Sequence, residues 1–186
     1  MHISSLSLVL FILCGHTSFA HINFEKAKFS KDSPFLKTSK PSSLDALHTV
    51  TFAVKKSNFD QIEDILNAVS FPSSARYGER FSKKEVDGIV QNEAGSDAVE
   101  QFLEDHNEVS ISWVSDNRLY YKATSTLSTW NSLLRTEFLS VSGDPCLQPA
   151  ADADVEGDNI HTYRALSYTV PPELEGQLEG ILGVVD

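Results

Sequence analysis

Cysteine is nearly absent from this sequence, and it has no apolar run long enough to span a membrane. The chain of 186 residues holds two cysteines, Cys14 and Cys146. Cys14 lies in the longest apolar run, Leu6–Cys14, which is too short for ~30 Å of hydrocarbon and precedes a small-residue cleavage pattern ending at Ala20. We therefore predict a secretory signal over residues 1–20. Its removal leaves Cys146 as a free thiol or an intermolecular link and excludes an internal disulfide.

Positive charge is scarce. Lys and Arg number 15 against 26 Asp and Glu, giving a net charge of −11, and residues 1–20 contain none of these. An acidic surface repels phosphate backbones and anionic lipid headgroups. We therefore expect neither a nucleic-acid partner nor a membrane partner. The signal predicts entry into the secretory pathway, and hence a protein that is secreted or sent to a lysosome or vacuole.

Recognisable catalytic motifs are also missing. The sequence has no Gly-x-Ser-x-Gly, Gly-Thr-Ser, HExxH or CxxC motif and no glycine-rich phosphate loop. The acidic segment Asp152–Asp158 has the spacing of a calcium loop, but Tyr163 stands where such a loop needs a bidentate Glu. We interpret this segment as a solvated acidic loop. The sequence thus predicts no cofactor, no metal site and no catalytic residue.

Residue patterns divide the chain into a tail and one domain. Residues 21–44 are polar, rich in Lys and Ser, and contain two prolines, which predicts a mobile N-terminal tail. Residues 45–186 are long enough to build a single hydrophobic core. Within them, residues 143–159 are rich in Gly, Pro and Asp and are expected to form an exposed insertion.

Hydrophobic periodicity predicts an alternation of strands and helices. The stretch HTVTFAVK alternates as a half-buried strand with Val50, Phe52 and Val54 on one face. Ser82 and Glu85 form a capping box at the start of a later helix. The predicted core positions of the other elements are Phe59, Ile62, Leu66 and Val69 in the first helix, Val99, Phe102 and Leu103 in the third, Val109, Ile111 and Trp113 in the second strand, and Leu127, Trp130 and Leu134 in the fourth helix.

These elements predict an α+β fold. Gly95-Ser96 is expected to separate two helices, and Pro171-Pro172 to open a last helix through about Ile181. Without two short helices, the order is β-α-β-β-α-β, a ferredoxin-like antiparallel sheet with helices on one face. The other face is then free to contact a partner. Its expected residues are Thr49, Thr51, Ser110, Ser112 and Val114.

The stretch FPSSARYGERFS, Phe71–Ser82, joins two predicted helices. Pro72 and Ser73 are expected to end the first helix, and Gly78 to permit the chain reversal. We expect Tyr77 to bury its ring where the next helix docks. Arg76 is suited to bind a carboxylate of this domain or of a partner.

This loop and its surroundings resemble the activation domain of sedolisin-type serine-carboxyl peptidases, the family of the kumamolisins and tripeptidyl-peptidase I. The matching stretch is VSFPSSARYG, followed by SKKEV. The blocks SDAVEQFLEDH, TLSTWNSLLRTEF and YRALSYTVPPELEGQLEGILGV also match, in the family's order. The last block holds the C-terminal motif Tyr168, Val170 and Pro171. The resemblance runs from about Leu47 to Val184.

The resemblance implies a role without catalysis, and a fold like that of subtilisin-like protease pro-domains. Activation domains of this family assist folding of a catalytic domain with a Ser-Glu-Asp set and block its cleft until acid pH triggers release. That catalytic domain, bound in cis or in trans, is the expected partner, and we expect it to lie outside these residues. Three alternatives remain: a free-standing peptidase inhibitor, a truncated serine peptidase, and an extracellular binding module of the same fold.

Overall fold

The structure, a computed structural model, describes residues 22–26, 36–41, 43–143 and 162–185. Both the predicted signal over 1–20 and nearly all of the predicted insertion over 143–159 lie outside these ranges. In chain order the elements are β1 (Ile22–Lys26), β2 (Leu36–Ser39), β3 (Leu47–Val54), α1 (Phe59–Ser70), α2 (Lys83–Val90), α3 (Glu93–Glu104), β4 (Ser110–Val114), β5 (Tyr120–Thr126), α4 (Leu127–Leu133), β6 (Phe138–Gly143), β7 (Thr162–Ala165), β8 (Ser167–Val170), a 3-10 turn (Pro172–Leu174) and β9 (Leu178–Leu182).

The central sheet has four antiparallel strands in the order β4-β5-β3-β9. Val50, Phe52 and Val54 of β3 are buried, as their alternation predicts. Phe52 lies 6.1 Å, between ring centroids, from both Phe102 of α3 and Trp130 of α4. Both helices therefore pack on the same face, and the predicted ferredoxin-like α+β fold is confirmed.

The closing strand β9 corrects the prediction of a last helix through Ile181. Pro171-Pro172 begins only the short 3-10 turn, and the chain then reverses at Gly176, whose φ is +73°. Buried Leu178 and Ile181 are three residues apart, a spacing typical of a helix. A register shift opposite Ala53 and Val54 inserts an extra residue into β9 and produces this spacing in a strand.

Helix α3 runs through Gly95-Ser96, where the sequence predicted a break. Asn92 caps the helix by accepting the Gly95 N–H through Oδ1 at 3.0 Å. Ser96 is buried and its hydroxyl donates to the Arg118 carbonyl at 2.7 Å. Glycine is needed here because α3 lies very close to β3: a Cβ at residue 95 would be only 2.9 Å from Val54 Cγ1.

We expect Gly95→Ala to lower the free energy of unfolding by about 1–3 kcal/mol, the usual cost of overpacking. The added methyl would also come within 2.7 Å of Asn92 Nδ2, which is held by the Lys55 carbonyl at 2.8 Å. Gly88→Ala in α2 is the matched control, because no atom lies within 4 Å of its Cβ position; it should gain about 0.5–1 kcal/mol. Urea unfolding measures both, and equal stability of the two variants would contradict this packing.

Helix α1 is amphipathic but is not part of the core. The structure buries none of its residues, and Phe59 and Leu66 remain 60% exposed. The predicted core stripe is therefore wrong for Phe59 and Leu66, whereas Ile62 is half-buried and packs against the core. The apolar side of the helix, which includes Ile62 and Val69, lies against α2.

Two segments of the predicted N-terminal tail are strands. β1 pairs with β8, and β2 pairs with β6 in a second sheet of order β2-β6-β7. The Phe24 ring stacks on Tyr168 at 5.6 Å between centroids. The short length of these strands and their polar neighbours explain why composition alone predicted a tail.

Candidate docking surface

Helices α3 and α4 cover one face of the four-stranded sheet, and the opposite face carries the exposed side chains of Trp113, Lys122 and Leu182. Residues paired across strands share a face, so Thr51 lies between Lys122 of β5 and Leu182 of β9. Thr49 pairs with Thr124, and their hydroxyl oxygens are 2.7 Å apart. The other residues on this side, which we name the open face, are Leu47, Ala53, Ser110, Trp113, Tyr120 and Gly180.

The open face combines small central residues with large apolar residues around them. Thr49, Thr51 and Ala53 occupy β3 in the middle of the sheet. At the periphery, Trp113 is 52% exposed and Leu182 is 58% exposed. A shallow centre with exposed apolar anchors at its edges is suited to protein binding, because aromatic side chains supply much of the energy of interfaces.

A β-bulge at Ser112 decides which residues of β4 lie on this face. Ile111 pairs with Ala123 and Trp113 with Lys122, so Ser112 is an extra residue, and its hydroxyl donates to the Lys122 carbonyl at 3.1 Å. The bulge turns Trp113 outward, whereas the sequence predicted it in the core. Val114 moves to the covered side and packs against the core, so its predicted place on the open face is wrong.

Thr49, Thr51 and Ser110 lie on the open face as predicted. Trp113, Lys122 and Leu182 were not proposed from the sequence. The register of a bulged strand depends on its partner, and no local pattern in SISWV signals the extra residue. Leu182 was hidden by the incorrect helix assignment.

The Arg-Tyr-Gly turn forms a tight reversal at the end of α1. Gly78 adopts a φ of +80° and its N–H donates to the Val69 carbonyl at 3.0 Å. Arg76 Nε pairs with Glu79 Oε2 at 2.8 Å, and its guanidinium lies 5.4 Å from the Phe81 ring centroid. Tyr77 is 57% exposed, so the expectation that its ring is buried is wrong. Pro72 and Ser73 follow the helix end and are exposed.

The C-terminal motif lies inside the domain and supports the fold. Tyr168, Val170 and Pro171 are buried. The Tyr168 hydroxyl accepts the backbone N–H of Ile181 at 2.9 Å. The motif therefore holds β9 in place at the edge of the open face, and it does not itself face outward.

A scan against protein-family models matches residues 35–186 to the family described as "Pro-kumamolisin, activation domain". The chain belongs to this family. The match covers most of the sequence and confirms the resemblance to activation domains of kumamolisin-type peptidases. A comparison with curated proteins finds no match. In the described part of this activation domain, no helix has the length and apolarity needed to cross a bilayer.

His48 joins the core of the activation domain to its C-terminal residues. Its Nε2 lies 2.8 Å from the Gly183 carbonyl oxygen, and its ring packs edge-on against Phe138 at 5.0 Å and Tyr163 at 5.9 Å. Burial lowers the pKa of His48 below its usual value, and the positive charge of Arg164 lowers it further, although the hydrogen bond to Gly183 opposes the change. The imidazole is therefore held neutral where a free histidine would begin to protonate.

This environment predicts that the activation domain loses stability in mild acid. Because the pKa of His48 is lower in the folded state, its contribution is complete above the unfolded pKa of about 6.5 and declines as pH falls toward the folded pKa. His48→Gln retains a donor for the Gly183 carbonyl but cannot titrate. Thermal unfolding between pH 7 and pH 5 should show a steeper fall for the wild type than for the variant. Parallel profiles would contradict the assignment.

Proposed function

We propose that this activation domain is the folding chaperone and acid-released inhibitor of a kumamolisin-type serine peptidase, exported through the secretory pathway to the medium or to a lysosome or vacuole. The open face of its four-stranded sheet is the proposed contact surface. The observation that carries this proposal is the exposure of Trp113 and Leu182 around a centre of small residues on a sheet that helices cover on one side only.

The side chains of this surface suit a helical or flat partner surface. Thr49, Thr51 and Ala53 project little from β3, so a partner backbone can approach the sheet closely. Trp113 and Leu182 would then lie on either side of the approaching segment, at opposite edges of the sheet. Lys122, which lies between Thr51 and Trp113 on the open face, offers one positive charge to a carboxylate or carbonyl of the catalytic domain.

The charge of the domain supports the proposed release in acid. With 26 Asp and Glu against 15 Lys and Arg, many carboxylates are available to meet basic or hydrogen-bonding groups of the peptidase. Protonation of these carboxylates removes the favourable contacts and weakens the complex. The predicted loss of stability around His48 acts in the same direction, because a less stable domain holds its binding surface less well.

Affinity at two pH values tests the proposal. The purified protein is immobilised, and mature kumamolisin-type peptidases are passed over it at pH 7 and at pH 4. We expect binding at pH 7 and at least a tenfold weaker affinity at pH 4. Equal affinity at both values would refute acid release, and an absence of binding at pH 7 would refute the peptidase as partner.

A further inference from the structure

A second exposed apolar surface lies outside the open face. It belongs to residues 59–90, comprising α1, the Arg-Tyr-Gly turn and α2, which we name the helical arm. The arm exposes large apolar side chains along its length and at its tip: Phe59, Leu66 and Phe71 at 60% each, Tyr77 at 57% and Val86 at 36%. Five large apolar side chains exposed on one short segment exceed the scattered single ones that a monomer surface normally carries.

Polar contacts at its base fix the arm to the domain, together with Ile62 and Val90, which pack in or against the core. Ser57 N–H donates to the Val90 carbonyl at 2.9 Å, and Asn58 Nδ2 donates to the Ile89 carbonyl at 3.1 Å. Asn117, in the turn between β4 and β5, donates to Asp87 Oδ1 of α2 at 3.0 Å. These bonds set the direction of the arm, so its outer apolar side chains are not required to hold it there.

Between the two helices lies a groove of about 160 Å³ with an entirely apolar lining. Its walls include Ile62, Leu66 and Val69 of α1, and Phe81, Val86 and Ile89 from the turn and α2. The groove has the size of one large aliphatic side chain. With Phe71 and Tyr77 at the tip, it forms an apolar site with aromatic residues at one end.

We infer that the helical arm is a second docking site for the peptidase catalytic domain, and this inference rests on the function proposed above. The size of the open face supports it. Strands of 5, 7, 8 and 5 residues, ~4.8 Å apart, give a footprint of ~400 Å². Doubling that value, to allow for side chains that project from the sheet, only just reaches the ~800 Å² that each partner of a stable complex contributes. A second surface would bring the contact clearly into the range of tight complexes.

The arm is placed to extend the same interface. Asp87 and Lys83 of α2 contact Asn117 and Asp116 in the turn that follows β4, and Trp113 of the open face is three residues before that turn's Asp116. The apolar arm and the aromatic anchor of the sheet thus lie at the same end of β4. One partner surface that covers Trp113 is therefore close to the arm.

Charge defines the chemistry of the bound segment. The charged residues of α1 are Asp60, Glu63 and Asp64, all acidic, whereas the turn and α2 also carry four cations, Arg76, Arg80, Lys83 and Lys84. A bound segment would therefore place an aliphatic side chain in the groove and Lys or Arg on the α1 side of it. A second copy of this chain would bring together two molecules with a net charge of −11 each, which electrostatic repulsion opposes. The peptidase surface, rather than a second copy, is the occupant that we assign.

The test compares two arm variants with a control in the full-length protein. Leu66→Ser and the double variant Phe71→Ala/Tyr77→Ala remove exposed side chains, so the melting temperature should stay within about 2 °C of the wild type. Leu166→Ala, at the 43% exposed turn between β7 and β8, is the matched control. Dissociation constants for mature kumamolisin-type peptidases at pH 7 should rise about 5- to 50-fold for the arm variants and stay unchanged for the control.

Each outcome decides the matter. If the wild type binds and the arm variants bind as tightly as Leu166→Ala, the second docking site is refuted and the proposed function stands. If the wild type does not bind, the proposed function fails and the inference with it. If sedimentation shows a wild-type dimer that the arm variants abolish while peptidase affinity is unchanged, the occupant is a second copy and the inference is wrong.

Discussion

Trp113→Ala should weaken binding to a kumamolisin-type catalytic domain about 30- to 100-fold at pH 7. Trp113 is 52% exposed and lies on the open face opposite Lys122. An exposed aromatic residue that becomes fully desolvated in a complex typically contributes 2 kcal/mol or more, and each 1.4 kcal/mol corresponds to a factor of ten. Surface plasmon resonance with the full-length variant measures the change.

The binding loss must come without unfolding. Half of the Trp113 side chain is already in solvent, so its removal should leave the free energy of unfolding within about 1 kcal/mol of the wild type. Leu166→Ala again controls for loss of an exposed apolar side chain elsewhere. Unchanged affinity of Trp113→Ala beside full stability would show that the open face is not the contact surface.

Trp130→Ala, the same substitution at the only other tryptophan, should instead strongly destabilise the fold. Trp130 is fully buried, packs beside Phe52, and donates its indole N–H to the His48 carbonyl at 2.9 Å. Replacing a buried tryptophan by alanine usually costs about 3–5 kcal/mol. The backbone carbonyl of His48 also loses its partner, which adds to the cost.

Urea unfolding followed by circular dichroism tests this prediction. A domain of this size has about 5–15 kcal/mol of stability, so the variant is expected to be partly unfolded at 37 °C. Trp130→Phe keeps most of the packing and loses only the hydrogen bond, and it should retain more than half of the stability. A loss below 1 kcal/mol for Trp130→Ala would show that α4 does not anchor the core.

Elements that pack on the sheet could be predicted from the sequence. The alternation around Phe52 identified β3, and the spacing of Leu127, Trp130 and Leu134 identified the buried face of α4. In both cases one side of the element is buried along its whole length, so apolar residues recur with the period of a strand or of a helix. The fold class followed from the order of such elements.

Elements whose environment is set by a distant partner could not be predicted. The apolar side of α1 shows that the helix is amphipathic, but not that it packs on α2 while Leu66 remains exposed. The spacing of Leu178 and Ile181 results from a register shift against β3. Both cases require knowledge of the neighbouring element, which no window of sequence contains.

The candidate site was only partly accessible for the same reason. The sequence could place Thr49, Thr51 and Ser110 on the open face, because each of them precedes the register shift in its strand. Regular alternation in β4 predicts that Trp113, the strongest anchor candidate, lies in the core. That prediction is wrong because the bulge at Ser112 turns the side chain to the open face. Motif resemblance identified the family, but it did not identify the residues that contact a partner.

Inhibition in trans is the most direct test of the central claim that this domain binds and blocks a peptidase instead of cutting peptides itself. Mature kumamolisin-type peptidase, assayed with a fluorogenic peptide, is titrated with the purified protein at neutral pH and at pH 4. We predict stoichiometric inhibition at neutral pH, relief of inhibition at pH 4, and no hydrolysis by the protein alone. Peptide hydrolysis by the protein alone, or undiminished peptidase activity at neutral pH with excess protein, would contradict the account.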